Sequence, residues 1–235
     1  MNVLLLMMGG SGTRLGAAIP KQFLKVDGKP VFQYILEAYS TLPEIGAICI
    51  VSHQEWISYV EEVAGEVSAA CPVRVTAGGE SRSESVRNGL QAIRDLVVDT
   101  DIVLLHDATH PYMDAEGTRQ VIRAAAEHGG ATLGACQYDT CYQMDEQNLL
   151  EKVIPRQFIV SGASPEGFRY GEISHIYFSA SKEELDRMTS AGAIALAHGV
   201  PMEVIPSNIL NLKITYPQDL ALFRLLVHTH FFPEE

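Results

Sequence analysis

Basic residues are scarce in this chain: 17 Lys and Arg stand against 29 Asp and Glu, a formal net charge of −12 over 235 residues. A surface of that sign repels nucleic-acid backbones and anionic lipid, so neither nucleic acid nor membrane is expected as a partner. Any anionic ligand must be held by a few local cations, which makes the place of each Arg and Lys informative. Cysteine is sparse too. Cys49, Cys71, Cys136 and Cys141 are scattered, with no C-x-x-C pair and no zinc-type histidine spacing, and they read as reduced, mostly buried thiols. No run approaches the roughly 18 apolar residues of a membrane span, and the basic flank and cleavage site of a signal peptide are missing, so a cytoplasmic chain is expected. Two glycine motifs are also absent. No Lys follows a glycine at P-loop spacing, and Gly10-x-Gly12 is followed at the third place by Leu15, so a redox enzyme with a dinucleotide fingerprint is not expected.

What is present is concentrated between Val3 and Phe23. Val3 to Met8 has the length and near-continuous apolarity of a strand buried on both faces of a parallel sheet. Gly9, Gly10, Gly12 and Gly16 then remove the Cβ atoms that would keep backbone N–H groups from a bulky anion, which describes a phosphate cradle. An ordinary glycine-rich turn from strand to helix is the alternative. Arg14 and Lys21 favour the cradle, one as a forked guanidinium and the other as a compact point charge.

The rest of the chain alternates between strand and helix patterns. Helices are expected at 31–40, 54–69, 115–128, 182–188, 191–198 and 217–227, with Pro opening the first and the last. Strands are expected at 45–52, 72–76, 101–106, 131–136, 202–205 and 211–215. Gly78 and Gly79 precede a helix whose start is rich in serine; serines there most often cap, although hydroxyls beside a glycine pair also suit a base or ribose. The strand 101–106 delivers Asp107 to the same sheet edge as Gly10. Asp107 is a candidate Mg²⁺ ligand or else a helix cap, while His106 and His110, at i and i+4 on a segment that is not helical, are not expected to hold a metal. Residues 138–160 break the alternation with a polar, strand-prone excursion, usually a sign of function or of an oligomer contact. One α/β domain spanning 1–235, with a mainly parallel, twisted sheet, is the expected architecture.

Gly9-Gly-Ser-Gly-Thr-Arg-Leu-Gly followed by Pro20-Lys21-Gln22-Phe23-Leu24 resembles the signature loop of sugar-nucleotide pyrophosphorylase-like nucleotidyltransferases. The Pro-Lys-Gln portion is similar to the cytidylyltransferases that act on methylerythritol 4-phosphate or ribitol 5-phosphate. Gly78-Gly79 through Ser85, His106-Asp107-Ala108, Asp139-Thr140, Arg156, Ser164-Pro165 and Asn211 to Thr215 follow in that family's order over nearly the whole chain. The resemblance implies a Rossmann-like domain in which an alditol phosphate attacks the α-phosphate of CTP and expels pyrophosphate, with Mg²⁺ as cofactor. It implies that Arg14, Lys21 and Lys213 are catalytic, and that Asp107 holds the metal. Met8, Gly9, Gly10, Gly12, Thr13, Gly79, Glu80, Ser85, Asp107 and Ala108 would bind the nucleotide. The arm at 138–160 would embrace a second subunit in a homodimer, with Thr140, Arg156 and Ser164 at the acceptor.

The stretch from Ser207 to Thr215 looks more like the ribitol-phosphate branch. Several positions depart from the family. His110 stands for an arginine, Ser190 for an acid, Glu166 for a glutamine and Leu210 for a second acid near the metal. These departures leave room for a nucleotide-binding homologue that does not catalyse, or for a different base or acceptor.

Overall fold

The computed structural model describes residues 1–9, 19–208 and 210–231. The first apolar run is strand β1, Asn2–Met8, and all residues from Val3 to Met8 are buried. Alternate side chains of a strand face opposite ways, so such a run needs cover on both sides. Leu4, Leu6 and Met8 pack in one apolar cluster with Ile35 and Ile48, while Val3, Leu5 and Met7 pack in another with Val86 and Ile173. Of the glycine loop, Gly9 is described; Gly10, Gly12, Thr13, Arg14 and Gly16 lie outside the described residues.

A 3-10 turn at Lys21–Phe23 and a short hairpin of β2 (Lys25–Val26) and β3 (Lys29–Pro30) lead into helix α1, Val31–Ser40. Next come β4 (Ala47–Ser52), α2 (Ile57–Glu66), β5 (Val73–Ala77), α3 (Arg82–Ala92) and β6 (Ile102–Asp107). Helix α4 (Ala115–His128) and strand β7 (Gly130–Cys136) continue the expected alternation. The excursion is a separate hairpin of β8 (Cys141–Met144) and β9 (Leu150–Ile154). The chain then returns as β10 (Val160–Arg169) and α5 (Tyr170–Ser179), and closes with α6 (Lys182–Asp186), α7 (Ala191–Ala197), β11 (Met202–Ser207) and α8 (Pro217–Phe231).

The main sheet has seven strands in the order β11-β7-β10-β6-β1-β4-β5. All pairings in it are parallel except those of β10, which is antiparallel to both β6 and β7. The result is one α/β domain with a mostly parallel sheet, as the alternation implied. Among the described residues no helix is long and apolar enough to cross a membrane.

Three expectations need correction. β10 and α5 lie outside the expected elements; the β10 sequence Val-Ser-Gly-Ala-Ser-Pro-Glu-Gly-Phe-Arg carries two glycines, a proline and a glutamate, all poor strand formers. The expected strand at 211–215 is irregular. It alternates like a strand, but among the described residues its backbone tie to the segment after β6 is the Ile214 N–H to the Thr109 carbonyl at 2.9 Å, while Leu212 and Ile214 fill a third cluster with Val31 and Phe223. The thiols are not mostly buried either: Cys49 is, but Cys71 and Cys141 are half-buried and Cys136, where β7 runs out towards the hairpin, is exposed.

Candidate active site

β1 and β6 run parallel with Met7 beside Asp107, so Gly9 and Asp107 emerge at one carboxyl edge, where open α/β sheets take their ligands. β4 and β5 end in register at Ser52 and Ala77, and so bring Gly78 and Gly79 to that edge. Ser85, in the second turn of α3, fastens these segments. Its Oγ accepts the Gly79 N–H at 3.0 Å and donates to the Ser81 carbonyl at 2.9 Å. A Cβ on either Gly9 or Gly78 would lie 2.8 Å from that oxygen, so glycine at both places lets three segments close around one buried hydroxyl. The nucleotide candidates Gly9, Gly79 and Ser85 are thus brought together. Ser81 caps α3 by accepting the Glu84 N–H at 3.2 Å, the role that serines at a helix start usually take. Glu80 turns outward to Lys182 at 3.2 Å.

Met8 and Ala108 are buried and serve through their backbones. The Met8 carbonyl accepts from Gln22 Nε2 at 2.8 Å, and the Ala108 N–H donates to the Met7 carbonyl at 2.9 Å. Gln22 therefore ties the turn bearing Lys21 to the end of β1. The Lys21 charge is felt at His110, whose protonation it opposes.

Asp107 is the centre of the edge. Its Oδ2 accepts from Lys213 Nζ at 2.9 Å, its Oδ1 faces Arg82 Nη2 at 3.4 Å, and its N–H donates to Ser164 Oγ at 3.4 Å. Burial alone would raise its pKa, but Arg82 and Lys213 outweigh that and hold the carboxyl well below the usual carboxylate range. An ionised, partly open carboxylate suits Mg²⁺, which takes one or two carboxylates and fills its shell with phosphate oxygens and water. No group of three or more potential metal ligands occurs among the described residues, so a cation here would draw mainly on its ligand's oxygens.

The two histidines are structural. His106 is fully buried; its Nδ1 lies 3.0 Å from the Tyr39 hydroxyl and its Nε2 2.8 Å from the His110 carbonyl. The pair of bonds is satisfied by a neutral ring that donates from Nε2 and accepts at Nδ1, and burial drives its pKa down to about 3. Burial, reinforced by Lys213, likewise lowers His110 to about 4. His110 is thus an uncharged imidazole at neutral pH and does not supply the charge of the arginine whose place it takes. The space it shares with Ser164 and Asn211 is only about 10 Å³, too small for a ligand group.

Of the acceptor candidates, Ser164 sits beside Asp107, whereas Thr140 and Arg156 belong to the arm. Arg156 donates to the Tyr138 carbonyl at 2.6 Å, and neither it nor Thr140 touches Asp107 or Lys213 among the described residues. Two residues with no role assigned from sequence join the site. Arg82 faces Asp107, and its Nη2 also lies 3.8 Å from Glu166 Oε2. Arg82 is the lone cation in a serine-rich segment of an acidic chain, which was its signal; Glu166 had none beyond its departure from glutamine.

The family model described as 2-C-methyl-D-erythritol 4-phosphate cytidylyltransferase (IspD) matches residues 2–229. A 2-C-methyl-D-erythritol 4-phosphate cytidylyltransferase of Thermotoga neapolitana is 32% identical over 226 residues, covering 96% of each chain. One of the same name from Acidobacterium capsulatum is 31% identical and covers 93% of each. In structure, 4-diphosphocytidyl-2C-methyl-D-erythritol synthase of Anaerococcus prevotii superposes with a TM-score of 0.82 at 19% identity, over 97% of this chain and 96% of that one. The 2-C-methyl-D-erythritol 4-phosphate cytidylyltransferase of Francisella tularensis gives 0.77 at 23% identity, over 96% and 99%. These likenesses carry the fold, and the sequence matches carry the kinship. The chain belongs to the 2-C-methyl-D-erythritol 4-phosphate cytidylyltransferase family of nucleotidyltransferases.

Proposed function

We propose that this enzyme transfers CMP from CTP to 2-C-methyl-D-erythritol 4-phosphate. A phosphate oxygen of the acceptor forms a bond to the α-phosphorus of CTP, the bond from that phosphorus to the β-bridging oxygen breaks, and pyrophosphate leaves. Two polyanions have to meet in line, so the work of the protein is positioning and charge neutralisation. The observation that carries the reading is the Asp107 cluster, in which Lys213 and Arg82 converge on one ionised carboxylate at the sheet edge beside the loop held by Ser85. Lys213 and Lys21 would neutralise phosphate charge, with Arg14 and the backbone of Gly10, Gly12 and Thr13 completing the cradle. The edge formed by Met8, Gly9, Gly79, Glu80, Ser85 and Ala108 would receive the nucleoside. Mg²⁺, held through Asp107, would supply charge stabilisation on the phosphate oxygens.

The arm leads us to a homodimer. Tyr142, Leu150, Val153 and Phe158 are exposed there, and a second chain laid on them would bring its own Thr140 and Arg156 towards an acceptor phosphate beside Ser164 of the first. We place the activity in the cytoplasm, in the supply of isoprenoid precursors. The test is pyrophosphate release with CTP and Mg²⁺, comparing 2-C-methyl-D-erythritol 4-phosphate with ribitol 5-phosphate and using Arg14→Ala as control. Turnover of the first that vanishes in the control supports the reading; turnover of the second alone would move the acceptor to ribitol 5-phosphate, as the Ser207 to Thr215 stretch suggests. Silence with both, despite CTP binding, would leave a nucleotide-binding homologue.

A further inference from the structure

Asp107 offers one carboxylate to two cations, and a cation that engages it competes with both. Lys213 has no other carboxylate within ion-pair distance among the described residues. Arg82 does: Glu166 Oε2 stands 3.8 Å from the same Nη2 that faces Asp107. Glu166 is itself fixed. Its Oε1 accepts the Gly192 N–H at 2.8 Å at the start of α7, and a Cβ at Gly192 would lie 2.6 Å from that oxygen, so a side chain there would displace the carboxylate. Glu166 pairs with Leu105, two residues before Asp107 on β6, just after the register of β10 shifts against β7 between Ala163 and Glu166. The Glu166 side chain is 15% exposed and the Arg82 side chain 37%. The acid is therefore packed away as a support, while the guanidinium is the more exposed partner at the edge.

We propose that Arg82 is a further nucleotide-contacting residue, binding triphosphate oxygens once Asp107 turns to its ligand, and that Glu166, anchored on Gly192, is the positioning residue that keeps its guanidinium in place. The inference rests on the CTP reading above. A forked guanidinium drawn to a carboxylate 3.8 Å away on one side loses less freedom when it binds a phosphate on the other, which is what preorganisation requires.

The experiment is calorimetric titration of the full-length enzyme with CTP and Mg²⁺, alongside KM and kcat, for Arg82→Ala, Glu166→Ala, Glu166→Gln and the double variant Arg82→Ala/Glu166→Ala. Thermal melts establish that each is folded; Arg82→Gln and Glu166→Gln keep the site's volume if the alanine variants do not fold. Loss of a charge-assisted contact should raise the CTP Kd by about tenfold or more in Arg82→Ala, and Glu166→Ala should raise KM for CTP more than it lowers kcat. Glu166→Gln retains an acceptor and should recover most of the affinity, and the double variant should bind no worse than Arg82→Ala alone. A merely structural role for Glu166 under α7 predicts additive losses and no rescue, and that result overturns the proposal, as does an Arg82→Ala Kd within twofold of the wild type. If the wild type itself does not bind CTP, the CTP reading fails and the inference falls with it. CTP binding that ignores Arg82 sinks the inference alone.

Discussion

Lys213 Nζ lies 2.9 Å from Asp107 Oδ2, a contact that joins residues 106 positions apart and brings the irregular segment before α8 onto the end of β6. It keeps both charges ready at the edge. With Lys213 46% and Asp107 22% exposed, solvent screens the pair and its share of fold stability is small. Its importance lies in what each partner meets when ligand arrives.

Asp107→Asn should therefore leave the melting temperature within a few degrees of wild type while lowering kcat/KM by on the order of 100-fold, the scale of losing one charged group aimed at a transition state. Lys213→Ala should weaken CTP binding as well as turnover. Steady-state kinetics beside thermal melts check both; an Asp107→Asn enzyme within threefold of wild-type activity would remove the proposed metal site.

His110 gives a pH signature. Its folded pKa of about 4 lies below the ordinary value of 6.5, so on acidification the unfolded chain takes up the proton first. The stability conferred by the neutral ring is present above about pH 6.5 and is lost as pH falls towards 4, at up to about 1.4 kcal/mol per pH unit. His106, lowered to about 3, adds in the same direction. Melting temperatures should drop between pH 7 and 5, less steeply in His110→Asn, and His110 should impose no step on the rate between about pH 6 and 8. Equal slopes in the two proteins would contradict the assignment.

Ser85→Ala removes the hydroxyl that Gly9, Gly78 and Gly79 close around. A cost of about 1–3 kcal/mol is expected, since the Gly79 N–H loses its acceptor, together with a higher KM for CTP and an unchanged KM for the acceptor. Urea titration and kinetics with each substrate varied in turn read these out.

Charge placed on the arm tests the dimer. Tyr142 and Val153 are cross-strand partners on β8 and β9, both exposed. Val153→Asp should shift sedimentation from dimer towards monomer and cost activity together with assembly. Arg156→Ala should raise KM for the acceptor with little change for CTP. A wild type that sediments as a monomer at enzyme-assay concentrations would dismiss the arrangement.

Local pattern in the sequence is enough for the parallel frame. An apolar run buried on both faces, Val3 to Met8, admits few other uses, and helices such as Val31–Ser40 and Ala115–His128 carry their own start signals and apolar faces. It also placed Asp107 at the edge where the glycine loop begins, because parallel neighbours end together. These are consequences of local pattern and of strand direction. That β10 enters the sheet antiparallel follows from packing, since a Gly- and Pro-containing stretch is held as a strand by its two neighbours and not by its own propensity. Packing likewise decided that His110 is buried and uncharged and that Arg82 is shared between Asp107 and Glu166. Burial and the meeting of charges far apart in the chain depend on how distant elements pack, and no local pattern encodes either.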